Sequence, residues 1–356
     1  MSSQTALPVS LDRISLPPQL PPLVLIAFTR PDLLKEVIAA ISQQSLLPQK
    51  IITFVDGART AKDIPLIEEC VDLLKELERV ALVKITLRAQ NLGCDRNIIL
   101  GLSEVLSSHD SLVYLEDDTV PNTYFYDRMC RLLEAYRDCQ QVCSVSAYAH
   151  LPAGLDPLVP TDFMVSNRVF SWGFGTWRDR WQEIDLAHKP PQYNPFGSFY
   201  QIPATLQTKL TILNQFWLEK KYKTDWVITF TLAALYHHKV HIVPTYSFTR
   251  NIGFGHAQSK TYRGKEQTWV NARYRVDAYP NSLPSSLDLI NPLKQPLSDT
   301  ELARYFLKHK GLWLSPRGFL YLLQKSSSFR GILLLSTFFV TRFILMLKHW
   351  RKERVT

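Results

Sequence analysis

Short apolar runs alternate with longer stretches of helical periodicity in the N-terminal half of the chain. Each run ends at polar or turn-forming residues, and the stretch that follows carries apolar residues three and four positions apart, as an amphipathic helix does. We therefore predict four strand-and-helix units, with strands at residues 23–28, 50–55, 82–87 and 111–115 and helices at residues 32–42, 64–77, 94–106 and 124–136. This alternation predicts an α/β fold with a mostly parallel central sheet covered by helices on both faces.

The pattern loosens in the second half of the chain. A fifth strand is predicted at residues 142–148, followed by aromatic and glycine-rich loops, a helix at residues 225–238 and a short strand at residues 240–243. Proline-rich stretches flank this region, because residues 1–22 have the composition of a flexible arm and residues 276–300 that of a linker. We therefore place one large domain at residues 23–275 and a separate basic, helical tail at residues 301–356.

Basic residues are concentrated in that tail. The chain carries 41 Lys and Arg against 32 Asp and Glu, a net charge of +9. Residues 308–356 contain ten Lys or Arg and one Glu, so the tail accounts for the whole excess and the preceding residues balance at 31 of each sign. This distribution argues against a nucleic-acid groove across the domain and favours a basic tail with its own partner.

The tail pattern is typical of a helix that lies on a membrane surface. Residues 331–347 are apolar, but a span needs about twenty such residues, and Arg342 would cost about 2.5 to 3.5 kcal/mol at the bilayer centre. The basic residues that follow would bind an anionic leaflet, each contributing about 1 kcal/mol. A helix docked on the main domain is the alternative. Because the first twenty residues lack a secretory signal and the five cysteines lack ligand-like spacing, we expect a cytoplasmic protein with peripheral contact at the cytoplasmic face of a membrane.

Three consecutive carboxylates, Glu116, Asp117 and Asp118, end the fourth predicted strand. Ligands of open parallel sheets bind beyond the carboxyl ends of the strands, which is where these side chains are predicted to lie. Mg²⁺ or Mn²⁺ would relieve the repulsion among them, with substrate phosphates completing the oxygen shell of the ion; a solvated acidic turn is the alternative. At the end of the first strand, Arg30 is suited to a base or a diphosphate, and Asp32 is predicted to cap the following helix.

Two further strand ends carry candidate ligand-binding residues. Asp56 follows the second strand and would accept hydrogen bonds from a base or ribose, while Gly57 lets the backbone approach closely; an ordinary Asp-Gly turn is the alternative. After the third strand, a polar turn from Asn91 to Arg96 enters a helix. Its free amides and the Arg96 guanidinium suit an anionic ligand, although a plain helix start is equally consistent with the pattern.

The second half of the chain adds aromatic, acidic and histidine candidates. The run from Trp172 to Trp177 places aromatic residues among glycines, which is typical of a surface that binds sugar rings or of a hydrophobic lid over the core. Asp225 opens a predicted helix, and His256 follows a glycine-rich segment. Considered alone, Asp225 has the pattern of a helix-capping or first-turn acid, and His256 has that of a loop histidine.

In this order, these segments resemble a nucleotide-sugar-dependent glycosyltransferase of the GT-A fold, of the bacterial family-2-like kind. The segments are residues 25–34, Asp56-Gly57, Asn91-Leu92-Gly93, Glu116-Asp117-Asp118, the run from Trp172 to Trp177 and residues 251–255. The same order is similar to N-acetylglucosaminyltransferase I, an inverting enzyme. The resemblance covers residues 23–262. Each motif alone is a weak indication of the family, whereas the order of all six is a specific one.

The resemblance implies roles for the residues at the strand ends. Arg30 and Asp56 would contact the nucleoside of the donor. Glu116 and Asp117 would line its ribose and its sugar. Asp118 would bind the Mn²⁺ or Mg²⁺ ion that bridges the diphosphate.

It also implies roles for residues farther along the chain. Asp225 takes the position of the base in the inverting enzyme, and His256 lies near a loop that folds over the phosphates. The turn from Asn91 to Arg96 would add donor contacts, and the aromatics Trp172 and Trp177 would contact the acceptor.

The expected function is therefore metal-dependent transfer of a sugar from a nucleotide-diphosphate donor to a glycan or lipid-linked acceptor. We expect the donor to be a UDP-sugar and the reaction to belong to cell-surface or lipid-linked glycan synthesis. Inversion is expected, with retention still open. Two other functions stay open, a nucleotidyltransferase and a non-catalytic, membrane-associated protein that binds carbohydrate or nucleotide sugars. A phosphatase of the haloacid-dehalogenase kind is disfavoured because it needs a nucleophilic Asp where this chain has Glu116.

Overall fold

The structure is a computed structural model that describes residues 10–149, 160–184, 226–259, 266, 270–288 and isolated positions between residues 320 and 340. The chain divides into two compact units. One consists of Met1–Ala187 with His237–Ile290, and the other of His188–Tyr236 with Asn291–Thr356.

The first unit contains ten strands and five of the helices that the structure describes. The strands are β1 (Leu23–Ala27), β2 (Lys50–Val55), β3 (Leu82–Leu87), β4 (Ser111–Glu116), β5 (Thr119–Pro121), β6 (Val142–Ser146), β7 (Phe163–Ser166), β8 (Phe174–Trp177), β9 (Val240–Pro244) and β10 (Thr249–Asn251). The helices are α1 (Pro31–Ser42), α2 (Ile64–Lys75), α3 (Cys94–Leu106), α4 (Phe125–Ala135) and α5 (Arg178–Ile184), with short 3-10 turns at Leu11–Arg13, Ala61–Asp63 and Glu76–Arg79. The second unit contains α6 (Trp226–Tyr236), a helix of almost entirely apolar residues.

Eight of the strands form one sheet in the order β3-β2-β1-β4-β8-β6-β9-β7. The strand pairs from β3 to β4 are parallel, as is β6 with β9, whereas β8 runs antiparallel to both β4 and β6, and β7 antiparallel to β9. The predicted α/β fold with a mostly parallel sheet is confirmed. Because β2 and β3 lie on one side of β1 and β4 on the other, the strand order reverses between β1 and β4, which is where open α/β sheets bind ligands.

Helices cover both faces of this sheet, as the unbroken apolar strands predict. On one face, Leu25 of β1 belongs to a core cluster with Leu34 of α1 and Met129 of α4. On the other face, Gly101 of α3 lies so close to Phe54 of β2 that an added Cβ atom would stand 2.9 Å from the ring. The first four strand-and-helix units are therefore packed as the periodicity predicts.

Four short strands, β5, β7, β8 and β10, are not predicted by the sequence pattern. The most consequential is β8, which lies inside the sheet although its segment suggests an exposed aromatic loop. It pairs with β4 on one side and β6 on the other, and an added Cβ atom at Gly175 would stand 3.0 Å from the side chain of Val145 on β6. A strand of three or four residues is too short to display a two-residue alternation.

Part of the predicted flexible arm at residues 1–22 is packed against the domain. Leu11 is fully buried, and its backbone amide donates a hydrogen bond to the carbonyl of Asn281 at 2.9 Å. Asp12 pairs with the buried side chain of Arg128 at 2.8 Å. Residues 1–9 of the arm lie outside the described part of the chain. The domain thus begins before residue 23.

The predicted linker at residues 276–300 is also packed where the structure describes it, through residue 288. Asp162 accepts hydrogen bonds from the amide and hydroxyl of Ser282, each at 2.9 Å, and the amide of Phe163 donates to the Ser282 carbonyl at 3.1 Å. The domain therefore extends past residue 275. In the parts of the chain that the structure describes, no helix is long and apolar enough to cross a bilayer. Most of the tail at residues 301–356 lies outside the described residues, so its membrane contact stays a prediction.

Candidate functional site

The acidic triplet lies at the carboxyl end of β4, beside the carboxyl end of β1. Glu116 pairs in register with Ile26, and the amide of Asp117 donates to the Ile26 carbonyl at 3.0 Å. The chain leaves β1 through Phe28 and Arg30 at the same edge of the sheet. The triplet and Arg30 therefore meet at the position where the strand order reverses, as the sequence predicts for a ligand site.

Arg30 binds both aspartates of the triplet. Its Nη1 atom lies 2.6 Å from Oδ2 of Asp118, its Nε atom lies 3.3 Å from Oδ2 of Asp117, and its Nη2 atom contacts Oδ1 of Asp117. The amide of Phe28 adds a hydrogen bond to Asp117 at 3.3 Å. Asp117 and Asp118 are only 2% and 7% exposed, so each is a buried charge that requires such a partner.

The triplet shares one cation among three acids, and the pKa values reflect this. Burial raises the pKa of Glu116 to about 8, with a further contribution from the Asp118 charge and an opposing one from Arg30. Burial also raises the pKa of Asp117, against the attraction of Arg30. Burial opposes the charge of Arg30, but the two aspartates more than offset it and raise its pKa. Glu116 is thus held mainly protonated at neutral pH, while Arg30 stays charged.

The segment after β10 lies against Asp118. Asn251 donates from Nδ2 to Oδ1 of Asp118 at 3.2 Å, and the amide of Ile252 donates to the Asp118 carbonyl at 2.9 Å. Residue 253 has to be glycine, because a Cβ atom there would stand 2.1 Å from Oδ2 of Asp118. The pairing of β10 with β5, in which Asn251 lies opposite Thr119, produces this approach. No site role is predicted for Asn251 or Gly253 from the sequence, although the Asn-x-Gly pattern after a short strand is the local signal for one.

The same segment continues across the edge of the sheet to α1 and to the turn after β2. His256 and Asp32 approach each other through Nε2 and Oδ2 at 3.1 Å, and Arg59 donates to Oε1 of Gln258 at 3.2 Å. Asp32 does not cap α1 as predicted, because the cap position is occupied by Arg30 and Asp32 lies in the first turn. The structure therefore brings His256 to the edge of the sheet at which the acids lie, in contact with Asp32.

Asp56 is held by the chain itself. Its two oxygens accept hydrogen bonds from the amides of Gly57, Leu92 and Gly93 at 2.8–2.9 Å and from Nδ2 of Asn91 at 3.0 Å. The structure thus brings Asp56 and Asn91 together, as donor and acceptor of one hydrogen bond. In this arrangement the carboxylate fixes the turn between β3 and α3.

Arg96 and Trp172 lie in different environments. Arg96 is exposed in the first turn of α3. Trp172 is 8% exposed and packs edge-on against Tyr148 at 4.5 Å and Phe254 at 6.0 Å between ring centroids. Phe254 follows Gly253, so Trp172 adjoins the segment that contacts Asp118.

Trp177 is a core residue, and its predicted contact with an acceptor is not supported. It is 3% exposed, and its indole nitrogen donates to the carbonyl of Leu133 at 3.1 Å. The reason is the register of β8, which places Trp177 opposite Ser111 at the start of β4, while the acids stand at the far end of that strand. Asp225, the predicted base, lies outside the described residues.

Asp118 offers the hard oxygen donors that Mg²⁺ and Mn²⁺ prefer. The backbone of Gly253 packs against its Oδ2 atom, so closely that a Cβ atom would stand 2.1 Å from that oxygen. Within the described ranges, no group of three or more His, Cys, Asp or Glu side chains is placed to hold a metal ion. The residues present therefore fit an ion of the kind that is bound through one or two carboxylates, with water and substrate phosphates as its other ligands.

Comparison with known proteins returns only distant likenesses. No protein-family model matches the chain, and no curated protein matches it. Among solved structures, it is similar to the mannosyltransferase PcManGT from Pyrobaculum calidifontis in complex with GDP-Man and Mn²⁺, with a TM-score of 0.38 and 11% identity over 94% of this chain and 77% of that one.

The chain is also similar to TarS from S. aureus, with a TM-score of 0.36 and 11% identity over 63% of this chain and 35% of that one. For TarS 1–349 in complex with UDP, the TM-score is 0.38 and the identity 10%, over 63% of this chain and 58% of that one. The chain thus spans about a third of the length of TarS and 58% of the shorter form. Likenesses of this strength do not assign a function.

Proposed function

We propose that this protein is a glycosyltransferase that moves a sugar from a nucleotide-diphosphate donor, expected to be a UDP-sugar, to a hydroxyl group of a glycan or lipid-linked acceptor. The observation that carries the proposal is the buried group formed by Arg30, Asp117 and Asp118 where the strand order of the sheet reverses. Buried, charged groups at this position of an α/β sheet are characteristic of ligand sites.

Each side chain of this group has a role in holding the donor. Arg30 presents a planar set of donors that matches the oxygens of a diphosphate. Asp118 is the residue that would hold Mn²⁺ or Mg²⁺, an ion which, when bound, stabilises the negative charge that develops on the departing diphosphate. Asp117 keeps the guanidinium of Arg30 in place, and Glu116, mainly protonated at neutral pH, is suited to donate a hydrogen bond to a sugar or ribose hydroxyl.

In the transfer step, the acceptor oxygen attacks the anomeric carbon of the donor sugar. The bond between that carbon and the diphosphate oxygen breaks, and the proton of the acceptor hydroxyl passes to a base, for which we propose Asp225. A positioned base of this kind contributes about 10²- to 10⁴-fold to the rate. Attack from the face opposite the leaving group gives inversion, as in N-acetylglucosaminyltransferase I, to which the order of motifs is similar.

The proposal is tested by titrating the full-length protein with UDP, GDP and their common sugar conjugates, with and without Mn²⁺, by calorimetry and thermal shift. A ligand that binds the native state raises the melting temperature, and we expect one nucleotide series to do so only when Mn²⁺ is present. Asp118→Ala should abolish this metal-dependent binding. Asp72→Asn is the matched control, because Asp72 lies exposed on α2 and its ion pair, among the residues that the structure describes, is with Lys75. Absence of binding by every nucleotide would overturn the proposal.

The role of Asp225 is tested separately by Asp225→Asn. We expect this variant to bind the nucleotide sugar with wild-type affinity and to lose about 10²- to 10⁴-fold in transfer rate. Wild-type transfer would end the assignment of the base. Release of nucleoside diphosphate from the donor by the wild-type protein also separates a transferase from a non-catalytic binder, which releases none.

We further propose that the basic tail holds the protein on the cytoplasmic face of a membrane, close to lipid-linked acceptors. Replacing Arg351, Lys352 and Arg354 with Gln should weaken binding to vesicles containing phosphatidylglycerol by about 100-fold, since each basic residue contributes about 1 kcal/mol. Binding of wild-type strength by this triple variant, measured by vesicle co-sedimentation, would contradict the proposal.

A further inference from the structure

The two aspartates at the end of β4 are already neutralised by a cation of the protein. The side chain of Arg30 is 18% exposed, and its guanidinium binds Asp117 through two nitrogens and Asp118 through a third. Its contact with Asp118 is made at Oδ2, at 2.6 Å. The backbone of Gly253 packs against this same oxygen.

The second oxygen of Asp118 is also engaged. Oδ1 accepts from Nδ2 of Asn251 at 3.2 Å and lies 3.4 Å from the hydroxyl of Thr119. A divalent cation that binds Asp118 would therefore lie next to the Nη1 atom of Arg30. Two cations at one carboxylate in a buried site repel each other, so Arg30 and the ion compete for Asp118.

Arg30 has a second anchor that lets it yield this position. Its Nε and Nη2 atoms are bound to Asp117, so the contact of Nη1 with Asp118 can break while the guanidinium remains on Asp117. The Nη1 group then becomes a free donor in the crevice. A diphosphate that enters together with the cation supplies an anionic oxygen for that donor.

We propose that Arg30 is an internal counter-ion that competes with a divalent cation for Asp118, so that the cation binds tightly only together with a nucleoside diphosphate, whose charge gives Arg30 a replacement partner. The identity of the nucleotide rests on the proposed function. The competition at Asp118 rests on the contacts of Arg30 alone.

The test is a Mn²⁺ titration of the full-length protein, followed by electron paramagnetic resonance of the free ion, without nucleotide and with UDP. We expect UDP to tighten Mn²⁺ binding to the wild-type protein at least tenfold. Arg30→Gln should bind Mn²⁺ alone at least tenfold more tightly than the wild type, and adding Asp118→Asn to it should abolish that gain. Arg79→Gln is the matched control, since Arg79 is 77% exposed and pairs with Glu76.

A second pair of variants keeps the test decisive if Arg30→Gln folds poorly, because that change leaves two buried carboxylates without a cation. Arg30→Gln with Asp117→Asn removes one of these charges and should retain the tightened Mn²⁺ binding. Arg30→Lys keeps the charge but cannot bind both aspartates through a planar fork, so its Mn²⁺ affinity should fall between wild type and Arg30→Gln. Unchanged Mn²⁺ affinity in all three variants would overturn the proposal.

The results also separate this inference from the proposed function. If the Arg30 variants bind Mn²⁺ more tightly but no nucleotide binds the wild-type protein, the competition at Asp118 stands and the transferase proposal fails. If UDP and Mn²⁺ bind the wild-type protein together but the Arg30 variants show no gain for Mn²⁺ alone, the transferase proposal stands and the counter-ion role fails.

Discussion

Asp56 and the pair formed by Asp117 and Asp118 occupy equivalent places in the sequence pattern, but in the structure they are bound by different kinds of partner. Both follow a buried parallel strand and both stand at the same edge of the sheet. Asp56 accepts four hydrogen bonds from Gly57 and the turn after β3, three of them from backbone amides. The pair on β4 is instead held chiefly by the side chain of Arg30.

The difference concerns how easily each carboxylate can exchange its partners. Backbone amides are fixed by the strands and helices around them, so releasing Asp56 would require the turn between β3 and α3 to unfold. A guanidinium on a rotatable side chain can leave one oxygen and bind another without any change in the backbone. We infer that a strand-end acid bound by the backbone stabilises the fold, whereas one bound by a side-chain cation is available to a ligand.

The largest effect is expected from Asp118→Asn, which removes the charge and keeps the shape. Nucleotide affinity in the presence of Mn²⁺ should fall by about 10³-fold, corresponding to about 4 kcal/mol, because the amide is a poor ligand for a hard cation. Stability should change little, since Arg30 remains paired with Asp117. Calorimetric titration and urea unfolding of one preparation measure both quantities, and undiminished affinity would contradict the comparison.

The complementary change, Asp56→Asn, should act on stability. The Asn side chain has one acceptor oxygen for three backbone amides, and we expect the free energy of unfolding to fall by about 3 kcal/mol. Asp72→Asn again provides the control, with an unchanged unfolding curve. A loss of nucleotide affinity with wild-type stability would give the opposite result, that Asp56 contacts the donor as the resemblance implies.

Gly253→Ala tests how closely the segment after β10 approaches the acids. The added Cβ atom would stand 2.1 Å from Oδ2 of Asp118, so the segment or the carboxylate has to move. Overpacking of this kind costs about 1 to 3 kcal/mol, and we expect a lower melting temperature together with weaker Mn²⁺-dependent nucleotide binding. A variant that matches the wild type in both measurements would show that the segment does not lie against Asp118 in solution.

Glu116 imposes a pH dependence on the stability of the protein. The pKa of Glu116 is about 8 in the folded protein against 4.5 ordinarily, so between these values the unfolded chain loses a proton that the folded protein keeps. The free energy of unfolding therefore decreases as the pH rises through this window, by up to about 1.4 kcal/mol per pH unit. Glu116→Gln removes this dependence, so its stability relative to the wild type should rise from pH 5 to pH 8. Parallel curves for the two proteins in urea unfolding would show that Glu116 is ionised at neutral pH.

Sequence periodicity predicted the first half of the fold closely, whereas in the second half it predicted β6, α6 and β9 but not β7, β8, β10 or α5. The predicted bounds of β2, β3 and α3 coincide with the observed ones, and the other early elements agree within one residue apart from the end of α2, which comes two residues earlier than predicted. These elements are long enough for a full period of apolar residues to be visible. The aromatic run at Trp172–Trp177 has no such period, and its β8 residues are buried because that strand pairs with β4 on one side and β6 on the other.

The candidate site shows the same division. The sequence predicts Arg30 and the acids after β4 as site residues, because an abrupt change from apolar to charged residues marks the end of a buried strand. The sequence does not predict that Arg30 pairs with these acids, since this contact depends on β1 and β4 being neighbours in the sheet. Likewise, nothing local to Asp56 indicates that Leu92 and Gly93 satisfy its oxygens.

Residue order alone was sufficient to define an α/β chain with charged strand ends and a basic tail, because periodicity and charge are local properties. Strand order and register decided which acid is bound by the backbone and which by a side chain. They also decided that Trp177 lies in the core and that Gly253 lies against Asp118. Those contacts join residues far apart in the chain. They form only when many weak packing interactions act together, so no short segment contains the information.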